Sequence, residues 1–174
     1  MNIGMGVSAF KVEHEEEKEL IMLLELTRHG ARSPIYSGSS LLNTTWEKGL
    51  GELTNIGERQ HYLQGLRLRK KYITDLAFLS DTFDPRFMHI RSTDVNRTIM
   101  SAHSQMLGLY PTGYGPKFDT NDERRNALLP FSISDGAQSF SDQFDVLFQR
   151  YDPVPVHVSG LSNDHLLRGY STSV

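Results

Sequence analysis

The order of apolar patterns along the first two thirds of the chain restricts the possible folds most. Leu20 to Leu26 is an apolar run interrupted only by Glu25, and Gly30 and Pro34 punctuate the sequence just after it. A run of that length with such punctuation predicts a strand buried on both faces. From Asn55 the pattern changes: Ile56, Leu63, Leu66 and Tyr72 recur at helical spacing, and Asn55 with Glu58 provides a capping signal. A helix ending at Tyr72 or Ile73 is predicted. Phe87-Met88-His89-Ile90, after Pro85, predicts a second strand, and Ser92-Thr93-Asp94 supplies N-cap residues for a second helix ending near Leu109, before Pro111. Strand, helix, strand, helix in that order predicts an α/β sheet with parallel strands.

The rest of the chain is less patterned. Residues 1 to 18 are acidic and aperiodic and are expected to form a flexible segment, with one domain over residues 19 to 174. Ser37 to Gly51 reads as a loop, a mixed helical stretch surrounds Phe140 to Tyr151, and Val154-Pro155-Val156-His157-Val158 suits a third strand at a sheet edge because of its proline. No internal repeat occurs.

A net charge of -3 argues against nucleic acid or an anionic membrane as partner, since either would call for an excess of Lys and Arg. Anion binding must then be local. The absence of cysteine excludes a disulfide framework, a thiolate zinc site and a cysteine nucleophile from this stretch. No run reaches the length of a membrane span, and Met1 to Phe10 lack the basic and apolar regions of a secretory leader.

Both strong predicted strands run into arginine: Leu26 leads into Thr27-Arg28-His29-Gly30-Ala31-Arg32-Ser33-Pro34, and Ile90 leads into Arg91 just before a helix start. The carboxyl ends of strands in an open parallel sheet form the ligand crevice, and a helix N-terminus there adds free N–H groups. Arginine suits phosphoryl oxygens because its donors form a fixed fork. His29 is the candidate nucleophile, since imidazole can attack phosphorus and hold it as a phosphoramidate. Neighbouring positive charge should lower its pKa and favour the neutral, attacking form. Arg28, Arg32 and Arg91 would bind the phosphate and stabilise a metaphosphate-like transition state, with no metal or other cofactor expected.

Arg28-His29-Gly30-Ala31-Arg32-Ser33-Pro34 resembles the RHGxRxP signature of the histidine acid phosphatase branch of the histidine phosphatase superfamily, a branch that includes phytases. Five fixed residues in seven positions arise by chance roughly once in a few million starts if residues are equally frequent. Gly51 to Gln60 is similar to the family's G-x-LT-x-x-G-x-x-Q helix start, and Arg91-Ser92-Thr93-Asp94-Val95-Asn96-Arg97-Thr98 to its RSTDxxRT block. The similarity covers about residues 20 to 112 well, and 153 to 167 more faintly. The resemblance implies a phosphoglycerate mutase-like open sheet with flanking helices, incomplete in this chain. It further implies hydrolysis of small-molecule phosphomonoesters through a phosphohistidine at His29, with Arg28, Arg32 and Arg91 as the phosphate pocket. A lysosomal or secreted location would follow from the family. Acid phosphatase-like and phytase-like activities are not separated, and oligomeric state is not read.

The same resemblance implies a second histidine and a proton-donating aspartate, adjacent as His-Asp, much later in the chain; these 174 residues contain no His-Asp pair. Asp164-His165 has the reverse order and is not assigned that role. Protonation of a leaving group is typically worth about 10²- to 10⁴-fold, so this chain alone is expected to turn over poorly or to act as a phosphate-binding module. Other residues receive plainer readings. Arg97 is expected on a helix face, packed or paired with Asp94. His61, His89, His103 and His157 are expected to be structural or solvent-facing, and Arg124-Arg125 to belong to a solvated charge cluster. The Asn43-Thr44-Thr45 sequon suits a glycan if the protein is secreted, whereas that at Asn96 should be unused. A sheet with two confident strands would leave edges and an apolar face uncovered, so aggregation or a molten state is expected.

Overall fold

The computed structural model describes residues 19–36, 45–120 and 146–168. The acidic segment 1–18, Asn43 and Thr44 of the first sequon, Arg124-Arg125 and residues 140–145 of the helical stretch expected around Phe140 to Tyr151 lie outside the described residues.

Two helices carry the architecture. Helix α1, Asn55–Leu68, starts one residue earlier than the Asn55 cap signal suggests: Thr54 is the N-cap, extended at φ -87° and ψ 162°, and its side chain accepts from the Gly57 N–H at 3.2 Å. The helical path then continues in π form over Arg69–Asp75, two residues past the expected end at Ile73. Helix α2, Asn96–Leu109, follows strand β1, Arg91–Thr93, almost directly. Ser92 and Thr93 belong to that strand, so they do not cap α2; Val95 occupies the N-cap without a side-chain bond.

β1 pairs in parallel with β2, His157–Ser159, with Arg91 opposite His157 and Thr93 opposite Ser159. The second and third predicted strands thus form a parallel pair, displaced by a few residues toward the C-terminus. Pro155 lacks an N–H and falls before the ladder, which begins with the His157 N–H donating to Ile90 O at 2.9 Å.

The first predicted strand requires correction. Residues 20–26 take no regular structure, and Ile21, Leu24 and Leu26 are more than four fifths exposed. A strand exists only through its ladder, and no backbone bond joins this run to another described segment. The apolar pattern encodes a buried strand, but among the described residues this run does not join the β1–β2 sheet and stays exposed.

Where the core forms, the two helices meet the sheet. Met106, Leu109, Tyr110 and Val154 are buried together, with Leu68, Ile73, Phe83, Met88 and Ile90 packed around them. The α1–α2 crossing is close because glycine faces glycine. A Cβ on Gly65 would collide with the Gln105 carbonyl and stand 2.9 Å from Gly108 Cα, and a Cβ on Gly108 would collide with the Tyr62 carbonyl. No helix among the described residues is long and apolar enough to cross a membrane.

Candidate functional site

The segment 28–34 has almost no regular structure of its own and is held by its neighbours. Arg32 and Leu53 form an isolated antiparallel bridge; around it the Thr54 N–H donates to Ala31 O at 3.0 Å and the Ser33 N–H to Glu52 O at 2.9 Å. Ser33 is buried, and its hydroxyl donates to Gly49 O at 2.7 Å. Pro34 O accepts from the Gly51 N–H at 2.8 Å. The segment therefore folds back along the approach to α1. Gly30 is needed for that closeness: a Cβ there would run into the Gly57 carbonyl and come within 2.7 Å of Gly57 Cα.

An open cavity of about 590 Å³ lies over this segment, walled by Arg28, His29, Gly30, Arg32, Trp46 and Gln60 among others. His29 is half-buried in it, and its Nδ1 lies 2.8 Å from Gly30 O. A carbonyl only accepts, so Nδ1 carries the proton and the Nε2 lone pair is free. Partial burial is the largest cause holding the His29 pKa below its ordinary value, and the charges of Arg97, Arg28 and Arg32 push the same way. The bond to Gly30 O opposes them. Neutral imidazole is favoured.

The expected arginines fall into two settings. Arg28 and Arg32 line the cavity with His29. Arg32 donates from Nη1 to Ser33 O at 2.8 Å, while its buried Nε has no hydrogen-bond partner among the described residues. Arg91, at the start of β1, is instead engaged by Asp164: Nη2 donates to Oδ1 at 2.8 Å, and also to Ser159 Oγ at 3.1 Å. Asp164 is almost wholly buried and also accepts from the Leu167 N–H at 3.1 Å. Asp164 of the reversed Asp-His pair is thus an anchor for the arginine that opens β1. Arg97 does not pair with Asp94. Its Nη1 donates to Gly51 O at 3.4 Å, its buried Nε is unpartnered among the described residues, and its charge reaches His29.

Several residues at the site were not singled out from the sequence. Gln60 Oε1 accepts from the Ala31 N–H at 2.9 Å, Thr54 Oγ1 donates to Ala31 O at 2.8 Å, and Ser101 Oγ accepts from the Gly30 N–H at 3.1 Å. Thr54 and Gln60 are fixed positions of the G-x-LT-x-x-G-x-x-Q pattern, and a cap requirement explains only the first of them. His61 is buried on α1, whereas His89 and His157 are exposed and stack with ring centres 4.6 Å apart, and His103 is exposed. Among the described residues no three His, Cys, Asp or Glu side chains group as a metal site.

The sequence profile described as histidine phosphatase superfamily (branch 2) matches residues 19–152. Lysosomal acid phosphatase of Xenopus laevis is 30% identical over 155 residues, which is 88% of this chain and 29% of that protein. Prostatic acid phosphatase of Bos taurus is 32% identical over 152 residues, 86% of this chain and 32% of its own length. Lysosomal acid phosphatase of Homo sapiens is 28% identical over 170 residues, 97% of this chain and 33% of that protein. The chain thus spans about a third of the length of the curated relatives it matches. With a profile match across most of the chain and the arginine-flanked histidine at the floor of its cavity, this chain belongs to branch 2 of the histidine phosphatase superfamily.

Proposed function

We propose that residues 19–174 carry the phosphoryl-accepting part of a phosphomonoesterase site. His29 Nε2 attacks the phosphorus of a phosphomonoester. The N–P bond forms as the P–O ester bond breaks, and the ester oxygen leaves with the bonding pair and takes up a proton. Water then displaces the imidazole, releasing orthophosphate. Arg28 and Arg32 bind the phosphoryl oxygens, and Arg91 contributes from the start of β1. Charge spread over those oxygens in a loose transition state is what guanidinium donors stabilise best.

The observation that carries this reading is the His29 ring itself. Its Nδ1 is committed to Gly30 O, its Nε2 is free beside two arginines, and its surroundings disfavour the imidazolium. The names of the acid phosphatase relatives agree with the reaction class.

The test is covalent trapping. The full chain, mixed with a ³²P-labelled aryl phosphomonoester and quenched in alkali, should carry acid-labile label that is absent from His29→Ala. Removing Arg28, Arg32 or Arg91 should slow labelling by roughly 10²- to 10³-fold, the usual effect of deleting one charge-stabilising donor. An unlabelled wild-type chain, or label that persists in His29→Ala, overturns the reading.

A further inference from the structure

Because residues 28–31 have almost no ladder of their own, something else must set the direction of the His29 side chain. A peptide unit is planar, so the Arg28 carbonyl shares a plane with the His29 nitrogen, and the Gly30 nitrogen shares one with the His29 carbonyl. If both planes are tethered, φ and ψ at His29 are fixed and the Cα–Cβ direction follows. The plane after His29 is held by α2, through the Gly30 N–H donated to Ser101 Oγ at 3.1 Å. The plane before it is held by α1, through His61, whose Nε2 lies 3.0 Å from Arg28 O.

We propose that His61 is a positioning residue for His29: its Nε2–H, presented by α1, holds the Arg28 carbonyl. This rests on the reading of His29 as phosphoryl acceptor. His61 is only 4% exposed and Gln105 only 5%. Nδ1 of His61 stands 3.1 Å from Gln105 Oε1, Gln105 Nε2 donates to Glu25 Oε2 at 2.7 Å, and Gln64 Nε2 donates to Glu25 Oε1 at 2.8 Å. Glu25, three residues before Arg28, is thereby tied to both helices beside the ring. The Gly65–Gly108 contact is what allows side chains of α1 and α2 to meet there, since a Cβ on Gly65 would strike the Gln105 carbonyl. A buried histidine satisfied by core groups needs no such link to the backbone of the nucleophile.

Two amide substitutions in the full chain separate positioning from packing. Glutamine places its amide nitrogen where Nε2 stands and can still donate to Arg28 O; asparagine reaches only the Nδ1 position. His61→Asn should slow acid-labile labelling by about 10²-fold, as expected when a reacting group is misplaced by about an ångström, while His61→Gln should stay within about threefold of wild type. Melting temperatures of the two variants should agree. Equal labelling rates in His61→Asn and His61→Gln overturn the proposal. If the wild type takes no label, the phosphatase reading fails, and the positioning claim is read from the Arg28 carbonyl ¹³C resonance. That resonance should move in His61→Asn and not in His61→Gln; a resonance unmoved in His61→Asn overturns it.

Discussion

Neutral imidazole is the form of His29 that attacks phosphorus, and burial together with the charges of Arg97, Arg28 and Arg32 favours it. Its NMR titration midpoint should therefore lie below the ordinary value of 6.5, and Arg97→Gln should move it upward by removing one opposing charge. A midpoint at or above 6.5 in the wild type would contradict the local electrostatics. The linkage has a definite sign. Below pH 6.5 the unfolded chain takes up this proton more readily than the folded one, so His29 makes the fold less stable as pH falls through that range. Arg91 and Asp164 behave differently because their charges satisfy each other. Arg91→Ala leaves a buried carboxylate with a single backbone donor, and urea denaturation should show a loss toward the lower end of about 3–5 kcal/mol, since the guanidinium is partly exposed. The paired loss in Arg91→Ala/Asp164→Leu should be smaller than the sum of the two single changes.

At the scale of elements, Tyr110 closes the C-terminal end of α2 against Phe83, the rings edge to face with centres 5.8 Å apart. Burial pushes its phenol pKa up to about 12, with Asp84 adding to the rise and Arg69 opposing it. Stability from this residue is fully present below pH 10 and is lost as pH rises toward 12. Ultraviolet titration should accordingly show one tyrosine ionising last, and Tyr110→Phe should flatten the alkaline loss of stability. The helices were legible in the sequence to within a few residues, because apolar spacing acts locally, helped by Thr54 at the start of α1 and Pro111 after α2. The parallel pairing of β1 with β2 was legible in kind, while its position shifted toward Arg91 because Pro155 delays the ladder. Residues 20–26 were misread for a non-local reason: a continuous apolar run reports what the chain would bury, and burial depends on partners elsewhere. At the site, His29, Arg28 and Arg32 were legible because their chemistry is contiguous. Thr54, Gln60, His61 and Ser101 were not, since each acts on a backbone atom at least 23 residues away in sequence.

Taken whole, the described residues present large apolar side chains to solvent. Ile21 and Leu24 are each 85% exposed, Leu26 82%, Phe87 79% and Leu166 73%, which together exceed the scattered apolar side chains of an ordinary soluble surface. The isolated chain should bind 8-anilinonaphthalene-1-sulfonate with a strong rise in fluorescence, melt over a broad range and associate at high concentration. Leu24→Glu should reduce both dye binding and association without altering the helical circular dichroism. A monomer that melts sharply and ignores the dye would mean that these side chains are covered.

The glycine-to-glycine helix crossing implies something for how this protein tolerates change. Neither Gly65 nor Gly108 lines the cavity, yet each sets the distance across which His61, Gln105 and Glu25 must meet. In a saturation library scored for phosphoryl acceptance, alanine at either position should fall with the nucleophile variants rather than with ordinary helix-surface variants. A map of inactivating substitutions drawn on the sequence would then show a second cluster, far from the arginine-rich motif, whose members never touch the substrate.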